Sequence, residues 1–385
     1  MTRPLVAVVR TRSGDLLADI HAAWDDGAAV LPLDPRWSPE RIAAVARVTG
    51  ASTLVTDAGA EDLAGQPAVS DDTAVVLLTS GTSGEPKPVA LSSRALKTAA
   101  DLVHERIGAG VGDRWLCCVP LFHVAGFAMI ARSQALATPL EVHDRFDADA
   151  VAASNADLVS LVPTQLHRLL DAGVDLTRFD RILLGGSAVP RALLDRARAT
   201  GARIVRTYGM TETCGGVVYD GVPLRSVEVR AAHDGVLEIS SPTLMEGYVG
   251  DPGLTADRLR DGWFRTNDLG RVSDGVVTVE GRADDIIISG GEKISPQEVR
   301  AELLEHPGID DAAVVGYPHP EWGEAVGAVI EGSVTSAEVD AWLRERLPSY
   351  KVPKRLTVAP VPRNAMGKPD AVAARDLLSA PGASS

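Results

Sequence analysis

The most informative segment of the chain is Thr79-Ser80-Gly81-Thr82-Ser83-Gly84-Glu85-Pro86-Lys87. It follows the apolar, partly β-branched run Thr73–Leu78, which predicts a buried strand, and it precedes a second strand-like run, Val89–Leu91. Glycines let backbone N–H groups turn toward an anion, while hydroxyls and a lysine add donors and positive charge. The flanking strands disfavour a flexible Gly/Ser linker, so the segment predicts a phosphate-binding loop.

This loop differs from the Walker A loop of switch and motor NTPases. That motif needs four residues between its glycines and a Gly-Lys-Ser/Thr that opens a helix. Here only two residues separate Gly81 from Gly84. Lys87 lies between Pro86 and Pro88, so a helix cannot begin at the lysine.

Strand-like and helix-like runs alternate on both sides of the loop, from about residue 28 to residue 206. Such alternation predicts mostly parallel sheets covered by helices, with ligands bound beyond the C-terminal ends of the strands. The strand-like runs are residues 28–33, 52–56, 115–119, 158–162, 181–184 and 203–206. The helix-like runs are residues 39–49, 93–108, 148–153, 164–172 and 190–200.

The pattern changes twice in the second half of the chain. From residue 221 to 282 short strands and turns predict a small antiparallel, barrel-like part. Beyond it, strands and helices predict a compact α+β domain. The expected fold class is therefore α/β, with a large N-terminal domain over residues 1–283 and a small C-terminal domain over 284–385.

Composition limits the function classes. The 385 residues are 45% hydrophobic and carry a net charge of −14 without a basic stripe, which disfavours nucleic acid as a partner. No secretory signal and no run fit to cross a bilayer is visible. The three cysteines form neither a zinc pattern nor a disulfide framework, so a cytoplasmic location is expected.

Two further segments follow predicted strands and could bind a nucleotide. Thr207–Thr213 combines an aromatic ring that can stack on a purine, hydroxyls that can bond a phosphate, and a carboxylate that can hold Mg²⁺. It could equally be an ordinary polar loop. Leu183–Ser187 contains a diglycine that lets a flat base lie against the backbone, but alone this signal is weak.

Four other features have a structural reading beside the functional one. His123 lies in an apolar run and is more often a core residue than a group facing a carboxylate substrate. Asp268 is expected in a turn after an aromatic strand, where it could accept bonds from two ribose hydroxyls. Gly281–Asp285 reads as a charged linker, and Lys368, taken alone, is a surface lysine.

In this order, the segments resemble the acyl-adenylate-forming superfamily of acyl-CoA synthetases, luciferase-like enzymes and peptide-synthetase adenylation domains. The resemblance runs from about Ala28 to Lys368. It is carried by residues 79–87, Tyr208–Thr213, Gly281–Asp285 and the pair Gly367-Lys368. Their joint occurrence favours the functional reading of the weaker signals.

The resemblance implies a role for each candidate residue. Lys368 would be the catalytic lysine, Glu212 would bind Mg²⁺, Thr211 would contact the α-phosphate and His123 would border the acyl carboxylate. Asp284 would be the hinge of a mobile C-terminal domain, and Gly290 and Gly291 would serve the thiol half-reaction. The nucleotide would be bound by Thr79, Ser80, Gly81, Thr82, Ser83, Gly84, Lys87, Gly185, Gly186, Ser187, Tyr208, Gly209, Met210, Asp268 and Arg282.

The implied chemistry joins a carboxylic acid to AMP and passes the acyl group to coenzyme A, using ATP and Mg²⁺. No Asp that could pair a substrate ammonium follows His123, which favours a plain acid over an amino acid. Met210–Cys214 and Ile287–Ser295 resemble the o-succinylbenzoate–CoA ligase branch of menaquinone biosynthesis. The alternatives are an enzyme that loads another acid onto CoA or a carrier-protein thiol, and an inactive adenylate-binding scaffold.

Two departures from the superfamily pattern are visible. The phosphate loop lies close to the N-terminus, so the first subdomain is expected to be short and its packing to differ. Pro369 and Asp370 follow Lys368 where relatives often carry basic residues, so contacts to CoA or pyrophosphate are expected to differ there. A homodimer is left as one option for the oligomeric state.

Overall fold

The computed structural model describes residues 2–63, 65, 69–79, 86–363 and 369–379. In these residues two large mixed sheets are followed by an antiparallel sheet and by a sheet that belongs to the C-terminal part of the chain. The α-helices are Ser13–Asp25, Pro39–Val48, Ser93–Ile107, Val124–Ala135, Ala148–Ala153, Pro163–Asp171, Arg191–Ala199, Pro252–Arg258, Pro296–Leu304, Ser336–Arg344 and Ala371–Ser379.

The first sheet has a parallel centre and antiparallel edges. Its parallel strands are short and apolar on both faces, as expected for strands covered by helices. In spatial order its strands are Gly247–Tyr248, Lys87–Ser92, Thr73–Thr79, Ala29–Pro32, Leu5–Val9, Thr53–Thr56 and Gly59–Asp62. The strand Leu5–Val9 and the helix Ser13–Asp25 lie outside the elements that the sequence pattern predicted.

The second sheet repeats this arrangement. Its first five strands are parallel and its last two are antiparallel. In spatial order they are Glu141–Val142, Trp115–Cys117, Leu158–Leu161, Arg181–Leu184, Ile204–Met210, Gly215–Tyr219 and Val222–Pro223. The prediction of mostly parallel, helix-covered sheets is confirmed.

Helix Ser93–Ile107 lies between the two sheets and contacts Lys87–Ser92 of the first and Gly215–Tyr219 of the second. It begins where the Ser92 hydroxyl accepts from Ala95 N at 3.0 Å, and it ends at Gly108, whose φ of 71° suits a left-handed cap. Its apolar face joins one core that takes side chains from both sheets. This shared core fixes the sheets relative to each other.

The third sheet is antiparallel, as the sequence predicted, but it starts later than residue 221. Val222–Pro223 pairs with the second sheet instead. The strands of the third sheet are Glu228–Ala231, Val236–Ser240, Leu259–Arg260, Trp263–Ser273 and Val276–Arg282.

The prediction that Asp268 lies in a turn is wrong, because Trp263–Ser273 continues through it as one strand. Asn, Asp and Gly are typical turn residues, and they suggested a turn at residues 267–270. The strand instead pairs on both sides, with register shifts that include one between Leu269 and Gly270. Gly270 permits this, because a Cβ there would lie 2.3 Å from Thr278 O.

The C-terminal part has its own sheet and its own buried clusters. Helices Pro296–Leu304 and Ser336–Arg344 contribute to one cluster, and helix Ala371–Ser379 contributes to the other. The strands are Glu292–Ile294, Ile287–Ser289, Gly323–Gly332, Ile309–His319 and Arg355–Val358. No helix among the described residues combines the length and apolar character needed to cross a membrane.

Candidate active site

Each large sheet carries a candidate segment at the point where its last parallel strand turns back. In the first sheet Thr73–Thr79 is followed by the antiparallel strand Lys87–Ser92, and Thr79 stands opposite Lys87. The Thr79 hydroxyl lies 3.5 Å from Lys87 O. The other predicted phosphate ligands, Ser80, Gly81, Thr82, Ser83 and Gly84, lie outside the described residues.

In the second sheet the turn is short and buried. Ile204–Met210 passes through the 3₁₀ turn Thr211–Thr213 and returns as Gly215–Tyr219. The Thr213 side chain accepts from Met210 N at 3.0 Å and lies 2.7 Å from Gly215 O. Cys214 adopts φ 55°, the left-handed conformation with which the 3₁₀ turn ends. This turn presents Glu212 at the end of the sheet.

Glu212 is half-buried and held by Tyr248, whose hydroxyl donates to Glu212 Oε1 at 3.0 Å. Burial raises the pKa of the Glu212 carboxyl, against the opposing effects of hydrogen bonds and of the charges on Lys87 and Arg282. Tyr248 pairs with Val89, two residues from Lys87 on the same strand. Glu212 of the second sheet therefore lies within electrostatic reach of the first and third sheets.

Tyr208, Asp268 and Arg282 form a second polar group. The Tyr208 hydroxyl donates to Asp268 Oδ2 at 2.8 Å, and Arg282 Nη1 lies 3.7 Å from Asp268 Oδ1. Burial, and then the neighbouring carboxylate, raises the pKa of the Tyr208 phenol. Asp268 and Arg282 are opposite each other in the third sheet, so the pair depends on strand register. A carboxylate fixed in this way can accept hydrogen bonds from a diol.

The diglycine lies beside this group. Gly185 follows strand Arg181–Leu184, which pairs in parallel with Ile204–Met210. A Cβ at Gly185 would lie 2.3 Å from Thr207 Oγ1, so a larger residue there would require the side chain before Tyr208 to move. Gly186 has φ 87°. The structure thus brings Gly185, Gly186 and the Tyr208 strand together, with the exposed Ser187 after them.

Gly209 and Met210, also predicted to bind the nucleotide, belong to the strand rather than to a loop. A Cβ at Gly209 would lie 2.0 Å from Gly215 O, because the strand bulges between Tyr208 and Gly209. Glycine is therefore required here for packing. Met210 supplies the backbone N–H that Thr213 binds.

His123 precedes helix Val124–Ala135 and packs its ring 4.7 Å from that of Phe122. The buried Asp34, which follows the first-sheet strand Ala29–Pro32, is close enough for a charge on His123 to act on its carboxyl. Burial acts to raise the pKa of Asp34, but hydrogen bonds from Arg36 and the positive charges outweigh it, so the pKa is lowered. His123 thus lies within electrostatic reach of the C-terminal end of the strand Ala29–Pro32.

The remaining predicted residues belong to the C-terminal part. Gly290 and Gly291 form the turn between Ile287–Ser289 and Glu292–Ile294, with φ of 57° and 88°. Gly290 N donates to Trp322 O at 3.0 Å, so this turn packs on its own domain. Lys368 lies outside the described residues.

Asp284 connects the third sheet to the C-terminal part through its carboxylate. Arg282 Nε donates to Asp284 Oδ1 and Nη2 donates to Oδ2, both at 2.9 Å. Asn267 Nδ2 donates to Asp284 Oδ2 at 3.2 Å, and Arg258 donates to Asn267 Oδ1 at 2.6 Å. The neighbouring Asp285 has its pKa raised by burial and by the charge of Asp284.

Glu212 is a candidate ligand for Mg²⁺ although it is a single carboxylate. Mg²⁺ commonly takes one or two carboxylates together with substrate phosphates and water. Glu212 fits that pattern, since Tyr248 orients it and no group of three or more His, Cys, Asp or Glu side chains elsewhere in the described ranges could hold a metal. Sequence reasoning missed Tyr248, which no local motif marks, because only the pairing of Gly247–Tyr248 with Lys87–Ser92 brings it to Glu212.

Comparison with known protein families gives two matches. The AMP-binding enzyme family matches residues 57–249, and the AMP-binding enzyme C-terminal domain family matches residues 298–368. A probable 2-succinylbenzoate–CoA ligase of Mycobacterium tuberculosis is 39% identical over 79% of this chain and 84% of its own length. A feruloyl-CoA synthase from an Amycolatopsis species is 36% identical over 87% of this chain and 76% of its own.

Solved structures agree in fold along nearly the whole chain. The o-succinylbenzoate CoA synthetase of Bacillus subtilis, in complex with its acyl-adenylate intermediate, superimposes with a TM-score of 0.87 at 28% identity, covering 99% of this chain and 89% of that one. The same enzyme with ATP and a magnesium ion gives a TM-score of 0.85 at 27% identity, covering 98% and 89%.

Proposed function

The chain belongs to the AMP-binding enzyme family, and we propose that it converts 2-succinylbenzoate to its coenzyme A thioester through an acyl-adenylate, as in menaquinone biosynthesis. One observation carries the proposal: the fold matches 99% of the chain to a synthetase of that substrate with its acyl-adenylate bound. Glu212, Tyr208, Asp268 and Arg282 form a half-buried polar group where the sheets meet, as a nucleotide site requires.

In the first half-reaction a carboxylate oxygen of the acid attacks the α-phosphorus of ATP, the bond to the bridging oxygen breaks, and pyrophosphate leaves. In the proposed arrangement the segment Thr79–Lys87 binds the β- and γ-phosphates, and Thr211 donates to the α-phosphate. Lys368 places its ammonium group between the two anions and stabilises the charge that develops there. Mg²⁺ on Glu212 would neutralise phosphate charge.

The adenosine end is held by residues that the structure already orders. Gly185, Gly186 and Ser187, with Gly209 and Met210, line the purine opposite the Tyr208 ring. The ribose hydroxyls donate to Asp268, which Tyr208 and Arg282 hold in place. His123 borders the acyl carboxylate. These groups position the two reactants, which is the larger part of catalysis when both are anions.

We further propose that residues 284–385 rotate about Asp284 after the adenylate forms. Lys368 is then withdrawn, and the Gly290–Gly291 turn reaches the site to admit CoA, whose thiolate displaces AMP from the acyl carbon. The bonds from Arg282 and Asn267 to Asp284 support this assignment, since they straddle the boundary between residues 1–283 and the rest. Any rotation at Asp284 must break or exchange them.

Two alternatives differ from the proposed reaction in the acid or in the thiol acceptor. A feruloyl-type acid is the second candidate, because a feruloyl-CoA synthase aligns with 87% of this chain. A carrier-protein thiol could replace free CoA as the acceptor. An inactive scaffold is disfavoured because Lys368, Glu212 and Asp268 are all present.

The ATP and CoA substrates, the net charge of −14 and the free cysteines support a cytoplasmic enzyme without a nucleic-acid partner.

The test is pyrophosphate exchange into ATP with a panel of succinylated, aromatic and fatty acids, repeated with CoA to detect the thioester. We expect exchange and thioester formation with 2-succinylbenzoate. Lys368→Ala should abolish exchange while nucleotide binding persists, whereas the exposed control Lys97→Ala should retain both. The proposal fails if no acid on the panel supports exchange, or if Lys368→Ala keeps full activity.

A further inference from the structure

Two carboxylates of the C-terminal sheet stand opposite each other across neighbouring strands. Asp311 on Ile309–His319 is the direct cross-strand partner of Glu331 on Gly323–Gly332. Like charges at opposite positions destabilise a sheet, and the Asp311 side chain is only 9% exposed. The arrangement therefore requires a cation close to both.

Arg363 supplies that cation from outside the sheet. Its Nη2 lies 2.7 Å from Asp311 Oδ2 and 3.5 Å from Glu331 Oε2. Val361 N donates to the same Glu331 Oε2 at 3.0 Å. The two acids thus hold the segment from Val361 to Arg363 by side-chain contacts as well as by packing.

This segment leads directly to Lys368. Arg363 forms an antiparallel bridge with Pro369, and Asp370 N donates to Pro362 O at 2.8 Å. Arg363 and Pro369, which flank the five residues that include Lys368, therefore lie side by side. Arg363 is in turn held by the two acids.

A second cation reaches Asp311 from a helix of the same domain. Arg300 Nη2 lies 2.5 Å from Asp311 Oδ1, and Arg300 Nε donates to Ala312 O at 2.7 Å. Arg300 alone gives the buried Asp311 a charged partner inside the domain. Arg363 adds a tether to the other carboxylate oxygen, at the residue that directly precedes the lysine segment.

We propose that Arg363, held by Asp311 and Glu331, is a positioning residue that aims the Lys368 segment for acyl-adenylate formation. The inference rests on the proposed function, since the role of Lys368 is part of it. The arginine itself makes no contact with substrate in this scheme. A misplacement of about 1 Å at a reacting group can cost about 100-fold in rate, so loss of the tether should be visible in kinetics.

The experiment compares two half-reactions on the same preparations of Arg363→Gln, Arg363→Lys and Arg300→Gln. We expect Arg363→Gln to lower kcat for acyl-adenylate formation by about 10- to 100-fold with little change in KM. Its rate of thioester formation from isolated 2-succinylbenzoyl-adenylate and CoA should stay near that of the natural sequence. Arg363→Lys should recover part of the loss.

Arg300→Gln is the matched control, because it removes a cation from the same Asp311 without touching the lysine segment. It should lower Tm but leave the ratio of the two rates unchanged. The inference is wrong if Arg363→Gln leaves the ratio of the two rates unchanged, whether neither rate falls or both fall equally. The ratio cancels any inactive fraction, so partial misfolding does not obscure the result. If the unmodified protein makes no acyl-adenylate, the proposed function fails instead.

Discussion

The two large sheets place functional residues in the same way but secure them by different means. In each sheet the last parallel strand is followed by an antiparallel one, and the connection carries candidate nucleotide ligands. In the first sheet the connection is a run of small, hydroxyl-bearing residues from Ser80 to Pro86. In the second it is the buried turn Thr211–Cys214, tied by side chains from elsewhere in the fold.

The composition of the first connection is enough to predict a binding site. The site at the second connection depends on packing between residues that are remote in sequence. A phosphate loop needs exposed N–H groups and small side chains. A run of such residues at the end of a strand can therefore be recognised from the sequence. A carboxylate such as Glu212, in a turn packed between sheets, needs partners that lie far away in sequence. Tyr248 is 36 residues from Glu212, and Thr243, which donates to Thr213 O at 3.1 Å, is 30 residues from Thr213.

The largest effect is expected when Glu212, the carboxylate of the second connection, is replaced. Glu212→Gln keeps an acceptor for the Tyr248 hydroxyl but removes the charge that Mg²⁺ requires. We expect acyl-adenylate formation to fall by about several hundred-fold, since a bound metal contributes several kcal/mol to phosphoryl transfer. Pyrophosphate exchange at saturating magnesium is the measurement. Tm without ligands should not fall, because a neutral amide is easier to bury. Retention of most activity would contradict the assignment of Glu212.

The hydrogen bonds of the second connection should carry more stability than those of the first. Thr213→Val leaves Met210 N without its acceptor in a fully buried position. We expect a loss of about 2 to 3 kcal/mol in the free energy of unfolding, measured in urea. The matched change Thr79→Val removes only a 3.5 Å contact at a half-buried site and should cost less than about 1 kcal/mol. Equal losses would show that the two connections are held alike.

The layer between the sheets should make stability depend on pH. His104 on helix Ser93–Ile107 accepts from Trp115 Nε1 at 3.2 Å and must be neutral to do so. Burial, and then the charge of Arg132, lowers the pKa of His104 from 6.5 to about 4, although Asp101 and Asp113 oppose this. The unfolded chain therefore binds the proton more readily, and stability falls as pH drops below about 6.5.

Between pH 7 and pH 5 we expect this residue to cost about 2 kcal/mol of unfolding free energy. His104→Gln keeps an acceptor for Trp115 and removes the titration. Urea unfolding at both pH values measures the effect as a difference between the variant and the natural sequence. The same pH dependence in both proteins would assign the acid sensitivity to other groups.

The smallest effect is expected at the third sheet, where a phenol and an arginine together hold the proposed ribose ligand Asp268. Tyr208→Phe removes the 2.8 Å bond to Asp268 but leaves Arg282 beside the carboxylate. We expect KM for ATP to rise by about 10-fold, equivalent to about 1.4 kcal/mol, with kcat changed less. Tyr350→Phe, at an exposed position of the C-terminal part, is the control and should leave KM unchanged. A fall in kcat at constant KM would place Tyr208 in the chemical step instead.

Several elements could be read directly from the sequence because their information is local. The apolar run Thr73–Leu78 and the helix start at Ser92–Ser93 appear in the structure within one residue of expectation. Glu212 and Tyr208 were named from a segment that follows a predicted strand, Asp268 from an expected turn that the structure does not contain, and Arg282 from the resemblance. The structure brings the four residues close together.

Other elements could not be read because long-range pairing overrides local preference. Residues 267–270 look like a turn, yet two neighbouring strands hold them extended. The sequence around Leu5–Val9 suggested no strand, although its parallel partners on both sides bury it. In both segments the conformation is decided by neighbouring strands, which the local sequence does not contain.

The amino-acid sequence by itself determined the layered α/β class, the segment predicted to bind phosphate and the types of side chain available for nucleotide chemistry, because hydrophobic periodicity and backbone permissiveness are properties of neighbouring residues. Only the tertiary structure decided that Tyr248 would orient Glu212, that Asp268 would lie opposite Arg282, and that Arg363 would bridge two facing acids. These contacts depend on strand register and on distances between segments that are remote in sequence. Such distances exist only after the chain has packed.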